Sequence, residues 1–120
     1  MVSETLRLFD SFCEAIAKKD LNKMMNLFNE DATYSEFISG FTSVIGKQAL
    51  KLFMEKEFKK INDYKVKKLY VCEKKDSIVV EWVVTFKDPN TEKRKEIQGI
   101  TLMEARDCKI QNFREYFKQY

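Results

Sequence analysis

The chain of 120 residues contains no histidine, which removes the serine–histidine and cysteine–histidine nucleophile pairs and most zinc sites from consideration. Any proton transfer must therefore use carboxylates, tyrosine or lysine. Tyr34 and Glu36 lie two apart in a stretch that reads as extended, so both point to the same side of the chain. A partly buried carboxylate at Glu36 has its pKa raised by desolvation, as a base acting on a carbon acid requires. In the last strand-like segment, period-two alternation groups Glu115 with Gln111, Phe113 and Phe117, against Ile110, Asn112, Arg114 and Tyr116. Those three side chains, Glu36, Glu115 and Tyr34, are the candidate catalytic set. Such a set suits cofactor-free acid/base chemistry on a hydrophobic carbonyl compound or epoxide.

Positioning these groups requires elements that the apolar spacing supplies. From Leu6, the residues Phe9, Phe12, Cys13 and Ile16 recur at helical spacing, ending at Lys18-Lys19. Asp20 is an N-cap for a second helix carrying Leu21, Met24, Met25 and Phe28. Ala32 to Glu36 reads as a short β segment, followed by an irregular loop through Ser39-Gly40. Gly46 opens a third helix with Leu50, Phe53, Met54, Phe58 and Ile61 on one face. After Asp63 the chain reads as strands: Lys65 to Glu73, Ser77 to Phe86, Glu92 to Arg106 and Lys109 to Phe117. Asp88-Pro89-Asn90-Thr91 forms one turn and Asp107-Cys108 a tight hairpin. Gly99, inside a long strand, marks a bulge or the close approach of another element.

Helices grouped before strands predict an α+β fold, with three N-terminal helices packed on a curved antiparallel sheet. One domain over residues 1–120 is the expected organisation. On the strand from Ser77 to Phe86, the face Ile78, Val80, Trp82, Val84 and Phe86 is the heavier and is expected to line core and pocket. Phe12, Phe53, Trp82, Val84 and Phe113 are the expected ligand-binding residues. The indole N–H of Trp82 needs a partner, for which one of the carboxylates is the candidate.

Apolar residues make up 44% and charged residues 34%, with 3 Gly and 1 Pro, so the chain can fold and has no linker composition. Ten Phe, five Tyr and one Trp suggest a roomy aromatic interior. Lys and Arg number 22 against 19 Asp and Glu, scattered in twos and threes, which reads as solvated surface and not as a nucleic-acid stripe. No run is long enough to cross a bilayer and no leader pattern opens the sequence, so cytoplasmic residence away from membranes is expected. Cys13, Cys72 and Cys108 form no ligand spacing and read as reduced thiols; neither a metal nor a cofactor is expected.

The segment from Asp20 to Tyr34, the Gly46-Lys-Gln-Ala-Leu50 helix start, Glu81-Trp82 followed by Ile97-Gln-Gly99, and the terminal Phe113-Arg-Glu-Tyr-Phe117 together resemble the nuclear transport factor two-like superfamily. Its SnoaL-like branch is the most similar. This resemblance implies a cystatin-like conical roll, commonly a homodimer, with an internal pocket, in proteins that include cyclases, isomerases, epoxide hydrolases and pure binders. It also implies that Glu36 stands where ketosteroid isomerases carry their base and that Glu115 faces the pocket. Phe12 and Gly99 or Ile100 stand where those enzymes carry oxyanion donors, which weighs against that reaction. Tyr34 and Glu115 match limonene epoxide hydrolases, whereas Trp82 and Val84 replace their arginine and base aspartate, and Glu36 an asparagine. The histidine of the polyketide cyclases is missing.

The reading that follows is a small-molecule-binding protein for a hydrophobic ligand, with carboxylate acid/base catalysis as its enzymatic form. The alternative is a noncatalytic module that dimerises through the outer sheet face. Arg114 and Glu81 are expected to pair on that face, within one sheet or across a dimer.

Overall fold

The computed structural model describes residues 3–37 and 41–119. Helix α1 (Glu4–Lys18) starts where the Ser3 hydroxyl accepts the Leu6 amide and ends on Lys19 in a left-handed conformation. Its buried face is Leu8, Phe9, Phe12, Cys13 and Ala15. The Asp20 carboxylate accepts the Lys23 amide and caps α2 (Leu21–Asn26). That helix is shorter than the apolar spacing predicts. The carbonyl of Leu27 accepts the Ile110 amide at 2.7 Å, so the chain is captured by a strand before Phe28 can complete another turn. Phe28 stays fully buried, as a strand residue.

Strand β1 (Phe28–Phe37) pairs antiparallel with β2 (Phe41–Ile45), an element absent from the sequence reading. The loop expected through Ser39 and Gly40 lies outside the described residues. Gly46 then adopts φ 89, a region closed to most side chains, and leads into α3 (Lys47–Phe58). Ile61, expected on that helix, lies beyond its end. Strands β3 (Asn62–Lys74), β4 (Ser77–Lys87), β5 (Arg94–Arg106) and β6 (Lys109–Gln119) complete a six-stranded sheet in the order β2-β1-β6-β5-β4-β3. Three helices packed on a curved sheet make the α+β fold. Within the sheet β1 and β6 run parallel, a pairing that the reading as an antiparallel sheet did not contain.

The inner face of β4 is as alternation predicts: Ile78, Val80, Trp82, Val84 and Phe86 are all buried. Each contributes about 1.5–3 kcal/mol by leaving water. On β6 the alternation breaks. Ala105 pairs with Ile110 but Glu104 with Asn112, leaving Gln111 as the extra residue of a bulge. Ile110 therefore turns into the core beside Phe113, both fully buried, instead of facing out. Gln111 turns to Asn29 and Asp31. The Asp107-Cys108 hairpin has both residues at positive φ, 54 and 63, as a two-residue turn with the sheet's twist demands. Among the described residues, no helix is long and apolar enough to cross a membrane.

Gly99 sits opposite Trp82 on β4 and Phe117 on β6. A Cβ there would lie 2.6 Å from Phe117 Cβ, 2.7 Å from the Tyr116 carbonyl oxygen and 2.8 Å from the Trp82 ring. Two of those neighbours are held by the backbone and cannot swing aside. Gly99→Ala is expected to cost about 1–3 kcal/mol of stability, read as a shift in the urea midpoint; an unchanged midpoint would mean that the strands do not approach this closely.

Candidate functional site

Tyr34 and Glu36 project from the inner face of β1, and register places Glu115 of β6 directly beside Glu36. The Tyr34 hydroxyl lies 3.1 Å from Glu36 Oε2 and 3.3 Å from Glu115 Oε2. One phenolic proton cannot be donated to both. The contacts are satisfied together when Glu115 is protonated and donates to the hydroxyl, which in turn donates to an ionised Glu36.

Burial favours that distribution. Glu115 is enclosed by protein, and the surface it keeps faces a cavity. Desolvation first, and the charge of Glu36 next, push its carboxyl up to about 8, against the hydrogen bond from Tyr34. Glu36 is also raised, mainly by burial and the neighbouring Glu57, but Tyr34 and the ammonium of Lys60 oppose the rise. Among the described residues no cation opposes the rise at Glu115. Burial and the contact between the two carboxyls favour one shared proton, with Glu115 as its holder. Tyr34 is pushed well above the ordinary phenol range by burial and both carboxyls, so it remains a neutral relay.

Aromatic rings fix the phenol. Phe113 stacks on Tyr34 at 5.2 Å, Phe53 lies tilted at 5.4 Å, and Phe12 at 6.4 Å. Phe12 also packs on Phe113 at 4.3 Å. The cavity has a volume of about 560 Å³, and its wall includes Phe12, Tyr34, Glu36, Trp82, Val84 and Glu115. Phe53 and Phe113 are not part of that wall. Both were expected to touch ligand; their rings pack against Tyr34 instead. Trp82 donates its indole N–H to Thr101 Oγ1 at 2.8 Å, not to a carboxylate. Thr101 is the fully buried neighbour that the β4–β5 register supplies.

Several polar wall residues escaped the sequence reading, among them Tyr64, Lys60 and Lys95. Tyr64 enters the cavity beside Cys13, and each influences the other through a hydrogen bond. Around Asp63 the β3–β4 register shifts, Asp63 takes φ 48, and Arg94 holds its carboxylate at 2.8 Å and its carbonyl at 3.0 Å. This bulge aims Tyr64 inward. Continuing the alternation one step back from Val66 was the available signal. The Cys13 thiol, pushed up to about 12 chiefly by burial, is no nucleophile. Cys108 is exposed, and the carboxylate of Glu4 raises its thiol as well. Arg114 and Glu81 do not pair within the sheet. Arg114 stands opposite Leu102, whereas Glu81 stands opposite Ile100, one row further along and two strands away. Among the described residues no cluster of metal-ligating side chains forms.

A family model described as SnoaL-like domain matches residues 9–113. No curated protein sequence matches the chain significantly. Among solved structures, an LEH-like epoxide hydrolase from Mycobacterium tuberculosis is similar with a TM-score of 0.80 and 18% identity, over 95% of this chain and 82% of that one. A second Mycobacterium tuberculosis protein, solved in complex with estradiol-17β-hemisuccinate, has a TM-score of 0.81 and 15% identity, over 95% and 93%. A computationally designed 17-OHP binder has a TM-score of 0.81 and 17% identity, over 96% and 93%. At these identities the likeness establishes the fold alone.

The carboxyl pair makes stability depend on pH in a defined direction. Below the ordinary glutamate value of 4.5, native and unfolded chains both hold the Glu115 proton; between there and about 8 only the native chain holds it. The native state binds the excess proton, so stability falls as pH rises through this window and levels off above it. Denaturant melts from pH 5 to 9 are expected to show wild type losing stability relative to Glu115→Gln across that range. A constant difference between the two would mean that Glu115 titrates as an ordinary surface carboxyl.

Proposed function

The chain belongs to the SnoaL-like domain family, and we propose that it binds an apolar carbonyl compound in the cavity and moves a proton on it without a cofactor. One observation carries this reading: the Tyr34 hydroxyl lies within hydrogen-bond reach of both Glu36 and Glu115, and all three groups line one cavity. Two like groups driven to different protonation states are what acid/base chemistry at neutral pH needs. The cavity volume of about 560 Å³ falls in the range of ligand sites. The steroid-derived ligands named for two structures of the same fold are of the kind such a space holds.

In this reading Glu36 takes the proton from the carbon next to the carbonyl, and the C–H electron pair moves into an enolate. As Glu36 takes up that proton it no longer needs the phenol, so Tyr34 turns its O–H to the developing oxyanion while protonated Glu115 donates to the Tyr34 oxygen. Return of the proton from Glu36 to another carbon gives the isomer and restores the carboxylate. No electron is gained or lost. The wall residues Phe12, Trp82 and Val84 keep water from the enolate.

Exchange of the α-hydrogens of an apolar ketone with deuterium, followed by NMR, tests the step directly. A thermal-shift screen of apolar carbonyl compounds against wild type and Glu36→Gln selects the ketone. Glu36→Gln is expected to slow exchange by about a hundredfold or more while the ketone still binds. Equal exchange in both proteins would remove Glu36 as the base, and no thermal shift with either would favour a noncatalytic module.

A specific observation supports homodimerisation alongside this function. Register aligns Phe41, Phe37, Tyr116, Ile100, Glu81 and Tyr70 in one row across the outer sheet face. Phe37 stacks on Tyr116 at 4.5 Å, and Phe41, Tyr70, Ile100 and Tyr116 are exposed. A second copy related by a two-fold axis covers that row and lets each Arg114 meet the other chain's Glu81. Ile100→Lys is expected to turn a dimer into a monomer in sedimentation, with the fold retained by circular dichroism. A wild-type monomer at the same concentration would refute the dimer.

A further inference from the structure

Lys95 is out of keeping with its neighbours. On β5 it stands opposite Phe86, as Ile97 stands opposite Val84, so an ammonium continues a row of apolar side chains that walls the cavity. Its Nζ lies 3.2 Å from Asp88 Oδ2. That carboxylate is engaged elsewhere too, since its Oδ1 accepts the Asn90 amide at 2.8 Å and fixes the turn. At the end of α3, Lys59 and Lys60 join the same wall. Lys60 lies 3.6 Å from Glu57, and Lys59 has no ion pair among the described residues. The wall thus carries three ammonium groups against the two carboxylates Glu57 and Asp88, with Glu57 and Lys60 near enough to act on Glu36 and Lys95 further along β5. Ion pairs as exposed as these are weak and open to competition.

The enclosed part of the wall has the opposite preference. Glu36 and Glu115 already share one negative charge there among the rings of Phe12 and Trp82, and a second anion in such surroundings is strongly disfavoured. A ligand with a negative group can enter only with that group left at the lysine rim. We propose that the cavity takes an apolar keto carboxylic acid, its carboxylate held at the rim by Lys95 in the field of Lys59 and Lys60 and its carbonyl end directed toward Glu36. This specificity rests on the cavity being the ligand site, and it adds to that reading a substrate class and an orientation. The rim lysines neither touch the reacting carbon nor the proton; they select and orient.

Trp82 is the one tryptophan of the chain and lies in the cavity wall, so its fluorescence reports occupancy. Titration with 5-benzoylpentanoate and with its methyl ester compares two ligands of the same apolar body, differing in one charge. The acid is expected to bind about tenfold more tightly than the ester, with the gap narrowing at about 0.5 M salt. Lys95→Met keeps the apolar stem and is expected to bring the two ligands close to parity by weakening the acid; Lys95→Gln replaces it should the methionine variant fail to fold. Equal affinity of acid and ester for wild type, or an undiminished preference in the Lys95 variant, overturns the rim assignment alone. Binding of neither ligand to wild type overturns the cavity reading and this assignment together.

Discussion

A single phenolic proton stands between two carboxyl groups in an interior that will not tolerate two negative charges. Everything distinctive about the site follows from that restriction. The Tyr34 hydroxyl is within reach of both Glu36 and Glu115, and it can satisfy both only if one of them keeps its own proton. The asymmetry between the glutamates comes from their surroundings: Glu36 has Lys60 to offset its charge, and Glu115 has burial and another carboxylate. Chemical identity is the same in the two side chains, so the fold alone assigns them different protonation.

The aromatic content serves this restriction at two levels. Phe113 and Phe53 hold the Tyr34 ring without being part of the cavity wall, and Phe12 spans the boundary between packing and lining. A hydroxyl that must accept from one carboxyl and donate to another within a few tenths of an ångström needs a ring that cannot rock. Trp82 has its own buried partner in Thr101 and so leaves the carboxyl pair undisturbed. Among the described residues, no buried side-chain nitrogen or oxygen is left without a partner, which keeps the polar groups of the wall compatible with a stable core.

Much of this was legible in the residue order. The β4 face shows itself because β-branched and aromatic residues alternate without interruption from Ile78 to Phe86, and Tyr34 and Glu36 fall on one side by spacing alone. The short reach of α2 was hidden because Phe28 suits a helix face and a strand equally well; a hydrogen bond from Ile110, far along the sequence, decided between them. Tyr64 and Ile110 were misplaced or overlooked for a common reason. Each lies next to a bulge: at Ile110 the bulge reverses the parity on which inference about strand faces depends, and at Tyr64 the irregular start of β3 lies just before the alternating run that begins at Lys65. The choice of Thr101 as partner of Trp82 depends on cross-strand register, which local pattern does not contain. Phe53 and Phe113 have the composition of pocket residues, and only the stacking of layers shows which side of Tyr34 they occupy.

The parallel pairing of β1 with β6 has a kinetic consequence. It brings together residues 81 positions apart at the Tyr34–Glu115 contact, among the costliest loops to close in the chain. Long-range pairings of this type set slow folding rates and form late. Until β6 docks between β1 and β5, Glu115 is an ordinary hydrated carboxylate, Tyr34 lacks the donor that Glu115 supplies, and the cavity lacks a wall. Chains in which this pairing has not formed therefore lack the coupled glutamate pair.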